Sequence, residues 1–212
     1  MSEPRSRLRA ACGLVGPAAF TVARLVATRR QPAYSLANEH ISGLAAPDAE
    51  VPHVMTAGFV AFGTCAVIFA SELERRLDAP GRGPGIGPAV MAASGVSMLA
   101  AGAFRRDRIS NYPMPGAPDD PQSWRNDVHD LAAVASGALG LGALLALAAR
   151  FRGDPGWEGL AGPALRAAVG SGGLSAWFVR DVTRPGNGIV QRASITLPLG
   201  FMARVALRML RG

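Results

Sequence analysis

The stretch VHDLAAVASGALGLGALLALAA, residues 128–149, carries its titratable side chains, His129 and Asp130, in the first turn and is uncharged from Leu131 onward. A helix rises about 1.5 Å per residue, and the hydrocarbon core of a bilayer is about 30 Å thick. A span therefore takes ~17–25 residues. This stretch fits, and five others like it lie on either side, at residues 11–27, 53–71, 86–104, 160–179 and 189–210. Polar or Pro- and Gly-rich segments separate them. The pattern predicts an all-α fold, a six-transmembrane-helix bundle occupying residues 1–212 as a single membrane domain.

Composition agrees. Hydrophobic residues make up 49% of the chain and charged residues 17%, below the ~25% of a soluble domain. Mean hydropathy is only +0.20 because Gly and Ala dilute it. The 26 glycines and 16 prolines would disturb soluble helices, but close-packed membrane helices tolerate them. The net charge of +7 comes from arginine, with no lysine anywhere. These arginines cluster at span ends, where they meet lipid headgroups, rather than along one face with interleaved aromatics. Membrane lipids are the expected partners, and nucleic acid is not. Cys12 and Cys65 both fall within spans and read as small packing residues.

Met1–Ala10 carries Arg5, Arg7 and Arg9 ahead of the first apolar run, a faint likeness to a signal peptide. The run is interrupted by Pro17 and continues past Arg24, so a retained first helix is expected. With six spans, connections 28–52, 105–127 and 180–188 share one side of the membrane. Both termini and connections 72–85 and 150–159 share the other. The basic N-terminal tail and a small excess of arginine on the terminal side place both termini in the cytoplasm of a bacterial inner-membrane protein. Small residues at i, i+4 spacing, Ser136 with Gly140 and Ala138 with Gly142, offer faces for close helix packing or a homodimer contact. The run from Gly81 to Pro88 lacks the Lys-Ser/Thr of a phosphate loop and reads as a connection.

Residues of chemical character gather on the side of the longer connections. Tyr34, Ser35, His40 and Ser42 lie in the first, and Asp107, Asn111, Tyr112 and Trp124 in the second. His129 opens the fourth span, and Gln191 with Arg192 opens the sixth. His129 and Asp107 are the candidate acid/base pair, because a carboxylate and an imidazole at a low-dielectric mouth can exchange a proton. Tyr34, His40, Ser42, Gln191 and Arg192 are candidate ligand-binding residues, Arg192 for an anionic group. No spacing sets two His or His/Asp ligands on one helix face, so no metal and no cofactor is expected.

The chain also resembles an uncharacterised bacterial membrane family, domain of unknown function nine-nine-eight. The resemblance rests on Gly16-Pro17, Tyr34-Ser35, Ile41-Ser42-Gly43-Leu44, Ala57-Gly58-Phe59 and Phe104 with Arg106-Asp107. His129-Asp130-Leu131-Ala132 and Gly188-Ile189-Val190-Gln191-Arg192 complete it. It covers nearly the whole chain, and departs where Arg105-Arg106-Asp107-Arg108 is more basic than the family's Asp-Pro-like ending. It implies a compact six-helix topology and no activity. The sequence therefore leads to a membrane protein with a polar pocket on the extracytoplasmic face, binding a lipid-like or amphiphilic ligand. A membrane-embedded enzyme using His129 and Asp107 on a lipid or isoprenoid-type substrate is the alternative, and a small transporter is third.

Overall fold

A computed structural model describes residues 3–77, 85–109, 122–182 and 184–211. These residues form α1 (Glu3–Arg30), α2 (Pro52–Leu77), α3 (Ile86–Ala103), α4 (Trp124–Arg152), α5 (Ala161–Arg180) and α6 (Asn187–Arg211). Two short 3-10 helices, Ile41–Ala45 and Glu158–Leu160, lie in connections, and the described residues contain no strand. Five helices, all but α5, are long and apolar enough to cross a membrane. The 20 residues of α5 are diluted by Gly162, Arg166, Gly170, Ser171, Gly172, Gly173 and Ser175. The chain is a membrane-embedded helical bundle.

The helices overrun their apolar centres. At 28 residues, α1 is about 42 Å long, and its overhang carries Arg29 and Arg30. Arg150 and Arg152 end α4 in the same way. Basic side chains here meet both the negative end of the helix dipole and the headgroup layer. Neither Pro17 nor Pro198 breaks its helix. Proline at 198 cannot donate to the carbonyl of Ser194, four residues earlier. The hydroxyl of Ser171 on α5 donates to that carbonyl instead, at 2.7 Å, so a neighbouring helix satisfies the freed group.

Each helix packs along its neighbour in sequence, and α6 returns to pack on α1, which closes the six into a ring. Glycine permits the closest crossings. A Cβ on Gly63 of α2 would lie 2.7 Å from the Gly95 carbonyl oxygen of α3, and one on Gly58 would lie 2.6 Å from Ala23 of α1. Between α3 and α4, Ser94 and Ser136 exchange hydrogen bonds: Ser94 Oγ donates to the Ser136 carbonyl at 2.8 Å, and Ser136 Oγ to the Ser94 carbonyl at 3.1 Å. Ser136 and Gly140 thus face α3 within the chain.

Contacts at the ring's two ends fix the helix directions. At one end, Glu72 near the close of α2 accepts from Ser6 of α1, and Arg76 Nη1 donates to the Met209 carbonyl of α6 at 2.9 Å. The start of α1 and the close of α6 therefore share this end of the bundle. Glu72, placed by its charge in connection 72–85, belongs to α2 and is fully buried. At the opposite end the longer connections meet. Residues 81–84 of the Gly-rich run lie outside the described residues.

Candidate functional site

The ring encloses a cavity of about 470 Å³ to which all six helices contribute, within the ~300–1,000 Å³ of small-molecule sites. Its far end is apolar, built from Ala66, Met91, Leu144, Phe201 and Met202. Ser42, His129 and Gln191 stand at the end next to the longer connections. Among the described residues, no Asp, Glu or Arg lines it.

The cavity is not closed on all sides. Val134, Gly137, Ala138, Ala176 and Val179 line it and are also exposed on the outside of the bundle, Val134 by 64% and Val179 by 62%. All belong to α4 or α5. These two helices close tightly at Leu144, Leu147 and Ala148 against Ala164, Ala167 and Ala168, all buried in one cluster. Towards His129 and Phe178 the cavity-lining residues Val134 of α4 and Val179 of α5 are exposed. A Cβ added at Gly137 or Gly173 would meet nothing within 4 Å. The opening is lateral, on a face that hydrocarbon would cover.

His129 is fully buried and reaches this cavity from the second turn of α4. Its Nδ1 lies 2.7 Å from the carbonyl oxygens of both Ala101 and Phe104, at the C-terminal end of α3. Carbonyls only accept, so Nδ1 carries the proton and donates, and in the neutral ring Nε2 is a bare acceptor. Among the described residues Nε2 has no partner. Phe59 meets the ring edge-on at 6.1 Å.

The candidate ligand-binding residues of the first connection form a cap rather than a lining. Arg192 Nη2 donates to the Tyr34 hydroxyl at 2.6 Å, and Nη1 to the carbonyls of Glu39 and Gly188, each at 2.8 Å. The Tyr34 hydroxyl donates onward to the His40 carbonyl at 2.9 Å. Burial raises its pKa against the opposing pull of Arg192, so the phenol keeps the proton this bond needs. His40 Nε2 donates to the Val182 carbonyl at 3.1 Å, and its ring packs against Phe178. Gln191 Oε1 accepts from the Ile41 N–H at 2.9 Å. Residues 31–51 are thereby laced onto the start of α6 and the α5–α6 connection, and Ser42 and Gln191 reach the cavity from this cap. Gly188 is required here: a Cβ would lie 2.7 Å from the Leu36 carbonyl oxygen.

Asp107 serves the start of α4. Its carboxylate accepts from the Ser123 N–H at 2.7 Å and the Ser123 hydroxyl at 2.5 Å. The hydroxyl bond is the larger cause, ahead of the N–H, of a pKa held below the ordinary aspartate value. Ser123 in turn caps α4, its Oγ accepting from the Asn126 N–H. Asn126 Oδ1 accepts from the Asp107 N–H at 3.2 Å, its Nδ2 donates to Asp130 at 3.0 Å, and Arg106 pairs with Asp130 at 3.5 Å. This network holds the segment after α3 over the first turns of α4. His129 and Asp107 lie at the same end of the bundle but engage different groups, one two carbonyls, the other Ser123. Asn111 and Tyr112 lie outside the described residues.

Two features escaped the sequence reading. One is the cavity opening. The other is Glu72, whose arginine partners three and four residues later, Arg75 and Arg76, were a visible helical pairing signal. Among the described residues no three His, Cys, Asp or Glu side chains gather into a metal site.

No curated protein and no solved structure matches the chain. The family described as protein of unknown function (DUF998) matches it over residues 14–208. That match reaches into all six helices and includes the cap residues Tyr34 and Arg192 and the cavity residue His129, and the chain belongs to this family.

Proposed function

We propose that this protein binds a lipid-like, amphiphilic molecule in its central cavity and takes it up from the bilayer. The observation that carries this reading is the shape of the cavity: about 470 Å³, apolar at depth, polar at one end and open sideways between α4 and α5. A water-soluble substrate would gain little from an apolar chamber with a side opening towards hydrocarbon. A lipid tail gains burial throughout. The polar end lies beneath residues 31–51 and 104–109, opposite the end of the bundle that holds Ser6 and Met209. With the basic N-terminal tail in the cytoplasm, that end faces the extracytoplasmic side of the cell membrane.

The test is direct. Full-length protein is purified in a mild detergent, and co-purifying lipids are extracted and identified by mass spectrometry. Leu144→Trp in the apolar depth serves as the control. One amphiphile class should co-purify with the parent protein, at close to one per chain, and be depleted from the variant at equal folded yield. Equal recovery from both, in the proportions of bulk membrane lipid, would falsify the reading.

A further inference from the structure

Building on that reading, we infer that the cavity's ligand is an uncharged amphiphile with a hydroxyl head, a long-chain alcohol or acylglycerol, whose O–H is donated to His129 Nε2. Three observations carry this. The first is the bare Nε2 acceptor on a fully buried ring at the cavity wall. In the neutral ring its acceptor character is set from behind, because Nδ1 donates to the Ala101 and Phe104 carbonyls. A buried acceptor without a donor is costly, so a site that keeps one selects a ligand that supplies the donor.

The second is the absence of ionised side chains from the lining among the described residues. A carboxylate or phosphate head would be stripped of water with no cation to meet it, and an ammonium would find no carboxylate. Either is disfavoured in so apolar a chamber. Arg192 of the cap is committed to Tyr34 and two carbonyls.

The third is the state of four of the six serine hydroxyls on the lining. Ser94, Ser136, Ser171 and Ser194 each donate to a backbone carbonyl, of Ser136, Ser94, Ser194 and Gln191 respectively. The protons of these four are already used, so none of them supplies His129; Ser42 and Ser175 are the remaining serine hydroxyls on the lining. The bare Nε2 is thus the acceptor on the lining that a donating head complements. An ester or ether of the same length, which only accepts, should be rejected by the rule that a site built for a hydroxyl discriminates against an analogue lacking it.

The experiment compares four probes of one chain length on delipidated full-length protein in detergent: 1-hexadecanol, its methyl ether, hexadecanoate and hexadecylamine. Affinity is read by isothermal calorimetry and by native mass spectrometry. The alcohol should bind about tenfold or more tightly than the ether, from one buried hydrogen bond, and more tightly than either ion. His129→Asn tests the assignment, because its amide nitrogen takes the place of Nδ1 and can still donate to the Ala101 and Phe104 carbonyls, while its oxygen falls at the ring's Cδ2 position and leaves the Nε2 position without an acceptor. It should melt near the parent temperature and bind alcohol and ether alike. Ether binding as tight as alcohol in the parent protein, or hexadecanoate or hexadecylamine binding best, overturns the hydroxyl assignment and leaves the cavity reading standing. Retained alcohol preference in a folded His129→Asn variant overturns the role of His129. Binding of none of the four would sink the cavity reading and this inference together.

Discussion

Arg192 and Tyr34, 158 residues apart, meet at the mouth of the bundle, where the guanidinium lies over the phenol ring at 5.6 Å and donates to its hydroxyl at 2.6 Å. The planar fork lets Arg192 hold Tyr34, Glu39 and Gly188 at once. A lysine ammonium has neither the reach nor the plane for this. Arg192→Lys should therefore lower stability by about 1.5–3 kcal/mol, as expected for charge-assisted hydrogen bonds. Arg192→Ala should lose at least as much. Thermal unfolding in detergent checks both. The folded fraction of Arg192→Lys should still bind a cavity amphiphile, because Arg192 holds the cap and does not line the chamber. Loss of binding by folded Arg192→Lys would return it to the role of a ligand contact.

Glycine positions give a paired prediction. A Cβ on Gly43 would overlap the backbone oxygen of Ile109, and backbone cannot give way as a flexible side chain does. Gly43→Ala should cost about 1–3 kcal/mol by overpacking. Gly137→Ala, in open space on α4, should be neutral or more stable by up to about 1 kcal/mol, because alanine is the better helix former. Equal melting temperatures for the two variants would contradict the close packing of residue 43 on the segment after α3.

The span centres were legible in the sequence because the hydrophobic signal accumulates over some twenty residues, and 128–149 or 53–71 tolerate errors of several positions. Helix ends were less so. Glu72 marked a span end by its charge, yet its pairing with Arg75, Arg76 and Ser6 lets it stay buried in α2. Parity grouped the right connections, but not the fact that Tyr34 and Arg192 would touch, since nothing local encodes a contact across 158 residues. The pairing of His129 with Asp107 is chemically reasonable for those residue types. Backbone carbonyls at the end of α3 and the hydroxyl of Ser123 compete for the same groups and are invisible in a motif. The cavity was least legible, because its lining is Ala, Gly, Ser, Met and Phe, the same residues that fill solid helix interfaces.

Glu72 ties α1, α2 and α6 together at the terminal end, with Arg75 Nη1 at 2.5 Å and Arg76 Nε at 3.2 Å. Both arginines are partly exposed and can turn to water when the carboxylate is removed. The loss for Glu72→Ala should therefore fall short of the ~3–5 kcal/mol of breaking a fully buried pair, at about 2–3 kcal/mol. Glu72→Gln, which keeps the acceptor and the shape, should lose less. Chemical or thermal denaturation ranks them, and a milder effect for alanine than for glutamine would refute the assignment.

His40 supplies a pH signature. Its pKa is lowered from 6.5 to about 4, first by burial and then by nearby Arg106, against the opposing pull of the Val182 carbonyl. The native state holds the ring neutral while the unfolded chain protonates near 6.5, so the unfolded state gains protons first on acidification. Stability should be level above about pH 6.5, decline towards pH 4 by at most about 1.4 kcal/mol per unit, and level off with respect to this group below that. His40→Gln, whose amide can donate to Val182, should lack this component. The difference between the two melting profiles isolates it from other titrations, and parallel profiles from pH 7 to 4 would rule His40 out as the source.

The exposed lining residues of α4 and α5 make a kinetic prediction. Gly137 and Ala176 form opposing lips of the lateral opening, both exposed and both lining the cavity. A large ring at either lip should obstruct passage while leaving His129 and the apolar depth around Met91 and Phe201 unaltered. Gly137→Phe and Ala176→Phe should therefore slow uptake and release of tritiated 1-hexadecanol from liposome-reconstituted protein by similar factors, about tenfold or more, with little change in equilibrium affinity. A block on the path raises one barrier seen from both sides, whereas a filled site weakens binding and speeds release. Affinity that falls while release accelerates would mean the rings occupy the binding chamber itself. Unchanged rates in both variants would move the entrance away from α4 and α5, to the cap formed by Tyr34, His40 and Arg192.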